Sequence, residues 1–232
     1  MNGLFVTGTD TGAGKTVVAA AICAALRAAG TRVVPFKPVV TGEDEPASID
    51  WPPDHVLLGR AAGVDPDGVS PARFGPPVSP HLAQELAGAP LHPVELAADA
   101  RAAGARGDVL IVEGVGGLLV PLTANSTVRD LAAELGLPLV IAARPGLGTI
   151  NHTLLTLEAA EGAGLGIAGV VITPWPENPG VVELSNRETI ARLGEVEVAT
   201  LPALRRGDVD RLAAAGAMLP LDQWLSAVRL AA

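Results

Sequence analysis

A glycine-rich segment near the start of the chain has residue types that bind phosphate. It covers residues 8–16 and reads Gly-Thr-Asp-Thr-Gly-Ala-Gly-Lys-Thr. Glycines let the backbone wrap around an anion, and the N–H groups at the start of a following helix favour negative charge. A lysine here neutralises nucleotide phosphates, and a threonine hydroxyl can bind Mg²⁺. We therefore predict a nucleoside triphosphate site formed by Gly12, Ala13, Gly14, Lys15, Thr16 and Val17.

The chain has only two lysines, Lys15 and Lys37, among 16 basic residues. Arginine cannot replace the compact lysine ammonium at every position, so these two lysines mark candidate functional positions. Because a lysine has an ordinary pKa of about 10.4, we interpret Lys37 as a cation that stabilises reacting anions, not as a general base. The alternative is a surface lysine at the end of a strand.

An acidic residue, Glu113, ends the clearest buried strand and precedes a Gly-Val-Gly-Gly turn. In that position it would face the phosphate loop and bind magnesium together with Thr16, since Mg²⁺ prefers oxygen ligands. The three residues that follow, Gly114, Val115 and Gly116, would let the backbone approach the nucleotide. A salt-bridged or helix-capping glutamate is the alternative interpretation.

These residues are positioned by alternating strands and helices. Apolar runs predict strands at residues 4–6, 32–36, 108–113, 138–142, 167–173 and 199–201. Helices are predicted at residues 15–29, 55–62, 80–87, 93–103, 128–135, 150–160, 184–193, 208–215 and 221–230. Residues 37–54 and 65–80 are rich in proline and glycine and are predicted to be loops.

The alternation predicts an α/β fold with a doubly wound, mostly parallel sheet and helices on both faces. No linker or repeat interrupts it, so we predict a single domain over residues 1–232. Ligands of such sheets lie beyond the carboxyl ends of the strands. Gly8, Lys37, Glu113 and Thr173 all fall at such ends, and we expect them to converge.

Four motifs together resemble the dethiobiotin synthetases, a family of P-loop proteins. They are the phosphate loop, Lys-Pro-Val-x-Thr-Gly from Lys37, Val-Glu-Gly-Val-Gly-Gly from Val112, and Gly-Leu-Gly-Thr-Ile-Asn-His from Gly146. The resemblance implies a P-loop NTPase fold, ATP and Mg²⁺. It also implies ring closure on 7,8-diaminopelargonic acid with CO2, through a carbamate and a carbamic-phosphoric anhydride.

The resemblance also implies roles for residues outside the phosphate loop. Thr41 would contact the diamine, as would Lys37. A substrate-carboxylate segment, shared across a homodimer interface, would comprise Leu147, Gly148 and Asn151. Asp54 would complete the magnesium site, although Glu43, Asp44, Glu45 and Asp50 lie nearby. The nucleotide base would lie near Thr173, Pro174, Pro202, Ala203 and Leu204.

The base-binding region departs from the usual form of the family. Many members have Asn-Asp after the strand that ends here at Thr173, whereas this chain continues Pro-Trp-Pro. The adenine-reading amide is missing, so the resemblance does not define a base preference. Trp175 could stack on a base or pack on the core.

Composition restricts the partners and the location. The net charge of −9 argues against broad binding to nucleic acid or anionic membranes. A single cysteine, Cys23, excludes an internal disulfide framework and is expected to be a buried small residue. The first residues lack a basic signal-peptide region, and the longest apolar stretch, 162–176, is too short to span a bilayer. We expect a cytoplasmic enzyme.

Three alternative functions share parts of this pattern. A switch ATPase of the partition or septum-positioning kind has a second lysine early in the loop, where this chain has Asp10. An amidase of the cobyrinic acid type needs a glutaminase domain with a nucleophilic cysteine. A small-molecule kinase would have an arginine-rich lid, which is not evident between Asp54 and Asp108. The switch ATPase is the main alternative.

Overall fold

The computed structural model describes residues 1–46, 51–204 and 207–230. Within them the strands are β1 (Gly3–Gly8), β2 (Val33–Phe36), β3 (Val39–Thr41), β4 (Ala72–Phe74), β5 (Val109–Glu113), β6 (Pro121–Thr123), β7 (Ser126–Thr127), β8 (Leu139–Ala143), β9 (Ile167–Trp175) and β10 (Val198–Pro202). The helices are α1 (Lys15–Ala28), α2 (Asp54–Ala62), α3 (Pro80–Ala87), α4 (Pro93–Gly104), α5 (Val128–Leu135), α6 (Thr149–Glu161), α7 (Val181–Leu193), α8 (Val209–Gly216) and α9 (Leu221–Leu230). A short 3₁₀ turn covers Pro66–Gly68.

The central sheet has six strands in the order β2-β5-β1-β8-β9-β10, and every neighbouring pair is parallel. β1, which leads into the phosphate loop, lies between β5 and β8. Val6 is paired with Glu113, and Gly8 is paired with Ala142. The predicted parallel sheet is confirmed, and its carboxyl edge brings together segments that are distant in sequence.

Helices cover both faces of this sheet, as predicted. Successive strand residues point to opposite faces. Phe5 lies in the core cluster that contains residues of α4, α5, α6 and α7, whereas Leu4 and Val6 lie in the cluster that contains residues of α1, α2, α8 and α9. The strands β1, β5 and β8 are buried along their whole length. A strand buried on both faces is a continuous apolar run, which is why these strands were recognisable in the sequence.

Two small sheets were not predicted. β3 and β4 pair in parallel within the two segments that were predicted to be loops, so that prediction is wrong at residues 39–41 and 72–74. β6 and β7 form an antiparallel pair. Strands of two or three residues are too short to show a hydrophobic period, and their pairing depends on chain contacts that the sequence does not display.

The helix ends follow local sequence signals. α5 begins with a capping box in which Thr127 and Asp130 bind each other's backbone N–H groups. α2, α3 and α5 end at Gly63, Gly88 and Gly136, each in the left-handed conformation. Within the described residues no helix is long and apolar enough to cross a membrane.

Candidate functional site

The phosphate loop connects β1 to α1 and needs glycine at two positions. Gly12 and Gly14 have φ values of 69° and 93°, a region that favours glycine. A Cβ atom on Gly14 would also lie 2.5 Å from the Cγ2 atom of Thr173, near the end of β9. The buried side chain of Lys15 folds back over the loop and donates to the Asp10 carbonyl oxygen at 3.0 Å.

Lys37 is buried, with 3% of its side chain exposed, directly after β2. Its Nζ atom lies 2.5 Å from Oε1 of Glu113 and 2.7 Å from Oδ2 of Asp54. It also lies 3.5 Å from the carbonyl oxygen of Gly114. The contact between Lys37 and Glu113 follows from the sheet, because β2 and β5 are parallel neighbours and both residues stand at the carboxyl edge.

Glu113 points to the face of the sheet that α1 covers. Val109 and Ile111 pack in the core on the α1 side, and Glu113 follows them at the same two-residue period. Its Oε1 atom accepts from the Thr16 hydroxyl at 2.8 Å. The Glu113 side chain is fully buried, and its Oε2 atom has no hydrogen-bond partner among the described residues.

The charges of the site depend on burial and on each other. Burial lowers the pKa of Lys15. It acts in the same direction on Lys37, but the adjacent carboxylates of Asp54 and Glu113 outweigh it and raise the pKa of Lys37. Burial raises the pKa of Glu113, against the effect of Lys37. Burial would also raise the pKa of Asp54, but the Lys37 ammonium lowers it. Lys37 is therefore a fixed cation at neutral pH.

A cavity of about 590 Å³ lies in front of these groups. Its lining contains Gly12, Gly14, Lys15, Thr16, Val17, Lys37, Thr41, Asp54, Glu113, Val115 and Gly116. Most of the residues proposed from the phosphate loop, the Lys37 motif and the Glu113 motif thus converge on one site. Ala13 and Gly114 are buried beside it.

The other predicted site residues lie outside the lining of that cavity. Thr173 is buried against the phosphate loop, and Pro174 is exposed. The Ala203 N–H donates to the Trp175 carbonyl, so the β9 and β10 ends are adjacent at Pro202, Ala203 and Leu204. Leu147, Gly148 and Asn151 stand at the start of α6, where Leu147 is 97% exposed. Trp175 is half-buried and packs against the core.

The acidic residues between positions 43 and 54 have different surroundings in the structure. Asp54 is the first residue of α2 and contacts Lys37, and Glu45 also lines the cavity. Glu43 lies 3.8 Å from His55, and Asp44 lies against Gly75. The remaining candidate, Asp50, lies outside the described residues.

Sequence reasoning missed Arg144, which follows β8. Its guanidinium donates to the carbonyl oxygens of Thr11 and Gly12 in the phosphate loop. It also missed Ser79 and Trp51, which line the cavity. The position of Arg144 at the carboxyl end of a central strand was the available signal, whereas Ser79 and Trp51 come from segments without a recognisable pattern.

The oxygen atoms around Lys37 fit a magnesium ion. Thr16, Asp54 and Glu113 offer a hydroxyl and two carboxylates, and Glu113 Oε2 is a buried acceptor without a partner among the described residues. The described residues contain no group of three or more His, Cys, Asp or Glu side chains that could hold a metal. Magnesium usually keeps several water molecules and is shared with substrate phosphates, so this small protein ligand set suits it.

Solved structures support the fold. The cell division ATPase MinD of Pyrococcus furiosus superimposes with a TM-score of 0.56 at 17% identity, covering 100% of both chains. A ParA family ATPase from Chlorobium tepidum gives a TM-score of 0.51 at 13% identity, covering 97% of this chain and 94% of the other. Such low identity shows a shared P-loop NTPase-like fold and says nothing of function.

Sequence relatives are much closer. A family model described as an AAA domain matches residues 2–206. The ATP-dependent dethiobiotin synthetase BioD of Mycobacterium sp. (strain KMS) is 48% identical over 206 residues, which cover 88% of each chain. The enzyme of the same name from Anaeromyxobacter dehalogenans (strain 2CP-1) is 48% identical over 196 residues, covering 83% of this chain and 86% of the other. With its phosphate loop, Lys37 and Glu113 assembled at one edge of the sheet, the chain belongs to the family of ATP-dependent dethiobiotin synthetases.

Proposed function

We propose that this protein converts 7,8-diaminopelargonic acid, CO2 and ATP into dethiobiotin, ADP and phosphate, a step of biotin biosynthesis. The names and the 48% identity of its relatives support this reaction. The structural observation that carries it is the position of Lys37, a buried cation that faces the same cavity as the phosphate loop.

The proposed reaction has three steps. The nitrogen of one substrate amine attacks the carbon of CO2 and loses a proton, which gives a carbamate anion. A carbamate oxygen then attacks the γ-phosphorus of ATP, which releases ADP and forms a carbamic-phosphoric anhydride. The second amine attacks the carbonyl carbon, phosphate leaves, and loss of the amine proton completes the cyclic urea. Two anions, the carbamate and the transferring phosphoryl group, must be held close together.

Lys37 and Lys15 supply the positive charge that these anions need. In our proposal Lys37 contacts the carbamate and the γ-phosphate and keeps its proton throughout, consistent with its raised pKa. Lys15 and the N–H groups of the phosphate loop hold the β- and γ-phosphates. Fixed charges in a buried site cost no reorganisation during the reaction and supply much of the rate enhancement in such enzymes.

Thr16, Asp54 and Glu113 would hold the magnesium ion that accompanies the nucleotide. When bound, the ion neutralises charge on the phosphates. Thr41 lines the cavity near Lys37 and is proposed to contact the diamine. Leu147, Gly148 and Asn151 are proposed to bind the substrate carboxylate at the start of α6, a favourable place for an anion.

The nucleotide base is proposed to lie near Thr173, Pro174, Pro202, Ala203 and Leu204. The contact between the β9 and β10 ends and the packing of Thr173 on Gly14 support a shared surface beside the phosphates. Trp175 packs on the core, which disfavours a role in stacking on the base.

We also propose a cytoplasmic homodimer whose substrate site is shared across the interface. The exposed Leu147 side chain, within the proposed substrate segment, supports contact with a second copy. Sedimentation of the purified chain would then give twice the mass of the 23.4 kDa chain, and cell fractionation would recover it with cytoplasmic markers.

A switch ATPase is the alternative with the same fold. The similarity to the MinD and ParA structures reaches only 13–17% identity. Asp10 also occupies the loop position where switch ATPases of the partition or septum-positioning kind have a second lysine. The synthetase relatives, at 48% identity, make the ligase the better supported function.

The test uses purified protein, 7,8-diaminopelargonic acid, isotope-labelled bicarbonate and magnesium ATP. We expect mass spectrometry to detect labelled dethiobiotin, and we expect Lys37→Ala to lower its rate by a factor of about 10² to 10³, since it removes a buried charge aimed at the reacting anions. Arg101→Ala is the control and should retain activity, because Arg101 is an exposed residue of α4 that pairs with Glu134 of α5. ATP hydrolysis without any labelled product, with cytidine and guanosine triphosphates equally inert as donors, would exclude the synthetase and favour the switch ATPase.

A further inference from the structure

Arg144 connects the end of β8 to the phosphate loop. Its Nη2 atom donates to the carbonyl oxygen of Thr11 at 2.9 Å, and its Nε atom donates to that of Gly12 at 3.2 Å. Both bonds join segments more than 130 residues apart in sequence. The guanidinium group thus holds two successive peptide units of the loop with one planar, two-donor contact.

These two bonds determine which way the loop peptides face. Thr11 and Gly12 line the cavity. Within the part of the chain that the structure describes, Arg144 does not contribute to that lining. The two carbonyl oxygens are therefore directed to the outer side of the loop, towards Arg144. In a trans peptide the N–H points opposite to the carbonyl, so the outward Thr11 oxygen turns the Gly12 N–H the other way.

Outward carbonyls also remove an electrostatic obstacle to phosphate. A carbonyl oxygen is partly negative and would repel a nucleotide phosphate if it faced the cavity. Lys15 holds the Asp10 oxygen, and Arg144 holds those of Thr11 and Gly12, so three successive carbonyls of the loop are bound by cations. A Cβ atom on Gly12 would lie 2.8 Å from Arg144 Nη2, so glycine here leaves space for the guanidinium.

The backbone around Arg144 is itself held in place. The next residue is Pro145, whose ring fixes its own φ angle. The buried side chain of Asn186, on α7, donates to the Pro145 oxygen at 2.9 Å and to the Gly146 oxygen at 3.2 Å. Arg144 therefore extends from a fixed base, although its side chain is exposed.

We propose that Arg144 is a positioning residue for nucleotide binding, which holds the carbonyl oxygens of Thr11 and Gly12 on the outer side of the phosphate loop so that the Gly12 N–H, and not these oxygens, faces the phosphates. This inference rests on the nucleotide site of the proposed function. It assigns Arg144 no contact with the reacting atoms, so the effect of its loss should appear in nucleotide affinity and much less in kcat.

The test compares Arg144→Ala, Arg144→Lys and the control Arg101→Ala by calorimetric titration with magnesium ATP and by steady-state kinetics. Arg101 is a matched control because it is also an exposed arginine that donates to a main-chain carbonyl, that of Glu134, far from the loop. For Arg144→Ala we expect Kd and KM for ATP to rise about tenfold, the usual order for losing charge-assisted hydrogen bonds. We expect kcat and the melting temperature without nucleotide to remain close to wild type.

Rescue distinguishes positioning from a general structural effect. Millimolar guanidinium, compared with KCl at equal ionic strength, should lower the Kd of Arg144→Ala and leave Arg101→Ala unchanged. Arg144→Lys should recover part of the affinity, since its ammonium can reach one carbonyl but lacks the planar fork. If Arg144→Ala does not fold, the proposal is tested by the Kd of Arg144→Lys for ATP, which should exceed that of wild type.

An unchanged Kd for ATP in the folded Arg144 variants, or a loss confined to kcat, would overturn the proposal. So would a raised Kd in Arg144→Ala that guanidinium does not lower. These are binding measurements, so they remain decisive if the wild-type protein binds ATP but makes no dethiobiotin. That result would reject the proposed function and leave the role of Arg144 to be judged by affinity alone.

Discussion

The Lys37 ammonium illustrates how single residues are charged in this site. It is nearly inaccessible to water, and two carboxylates replace the water that it has lost. Glu113 is fully buried and depends on this partner, whereas 43% of the Asp54 side chain is exposed. The pair Lys37–Glu113 therefore holds two buried charges that are stable only together.

At the residue scale we predict that Lys37→Met destabilises the protein by about 3–5 kcal/mol, because it leaves the Glu113 carboxylate buried without its cation. The double variant Lys37→Met/Glu113→Gln should recover a large part of this loss, since it removes both buried charges. Urea unfolding at neutral pH with a chelator present measures the four free energies of wild type, Lys37→Met, Glu113→Gln and the double variant.

The control is Arg32→Met, which breaks the exposed ion pair between Arg32 and Asp108 at the other end of β5. Its loss should change stability by less than about 1 kcal/mol because water screens both charges. A double variant at the Lys37 site that is as unstable as the sum of its single variants would show that the two charges are not coupled.

At the scale of single elements, the start of α5 offers a defined pH response. The Asp130 carboxylate accepts from the Thr127 N–H at 2.7 Å and from the Thr127 hydroxyl at 2.8 Å. These two hydrogen bonds hold the pKa of Asp130 below its ordinary value, and the bond from the backbone N–H has the larger effect. A carboxyl group whose pKa is lower in the folded than in the unfolded protein stabilises the fold at pH values above its unfolded-state pKa. This stabilisation is lost as the pH falls through the folded-state pKa.

We therefore predict that Asp130→Asn lowers the free energy of unfolding by about 0.3–1 kcal/mol at pH 7, the usual value of a negative charge in the first turn of a helix. The difference from wild type should shrink as the pH falls below about 3.9, the ordinary pKa of aspartate. Urea unfolding of both proteins between neutral and acid pH tests this. Asp99→Asn, at an exposed position within α4, should show no such trend.

The elements also show how far the sequence could be interpreted. The long strands and the helices were predictable because each repeats one period over many residues, and the phosphate loop and Glu113 were predictable because they end such strands. The β3–β4 pair was not, since Val39–Thr41 pairs with a segment about 30 residues away that has no period of its own. The position of Arg144 at the carboxyl end of β8 was the only signal in the sequence, because its two partners in the phosphate loop are main-chain oxygens, which no side-chain motif marks.

At the scale of the whole molecule, the site is built from the ends of most strands of the central sheet. Gly8, Lys37, Glu113 and Arg144 follow or end β1, β2, β5 and β8, and Thr173 lies two residues before the end of β9. Opening the core between the sheet and α1 therefore also separates the groups that we propose to bind the nucleotide. A ligand that binds only the folded arrangement should stabilise the entire sheet.

Cys23 reports directly on that opening. It is the only cysteine of the chain, it lies on α1 between the sheet and α8, and none of its surface is exposed. Burial also raises the pKa of the Cys23 thiol. Alkylation requires an accessible thiolate, so an alkylating reagent should modify Cys23 only when the core opens.

We predict that magnesium ATP at about 100 times its Kd slows alkylation of Cys23 about a hundredfold, because it lowers the population of open molecules by that factor. Mass spectrometry of the alkylated fraction against time gives the rates. A chelator should abolish most of the protection, and Lys15→Ala should show little protection relative to its own rate without nucleotide. Rapid alkylation of the saturated wild-type protein would mean that Cys23 becomes accessible through a local motion of α1 that leaves the nucleotide site intact.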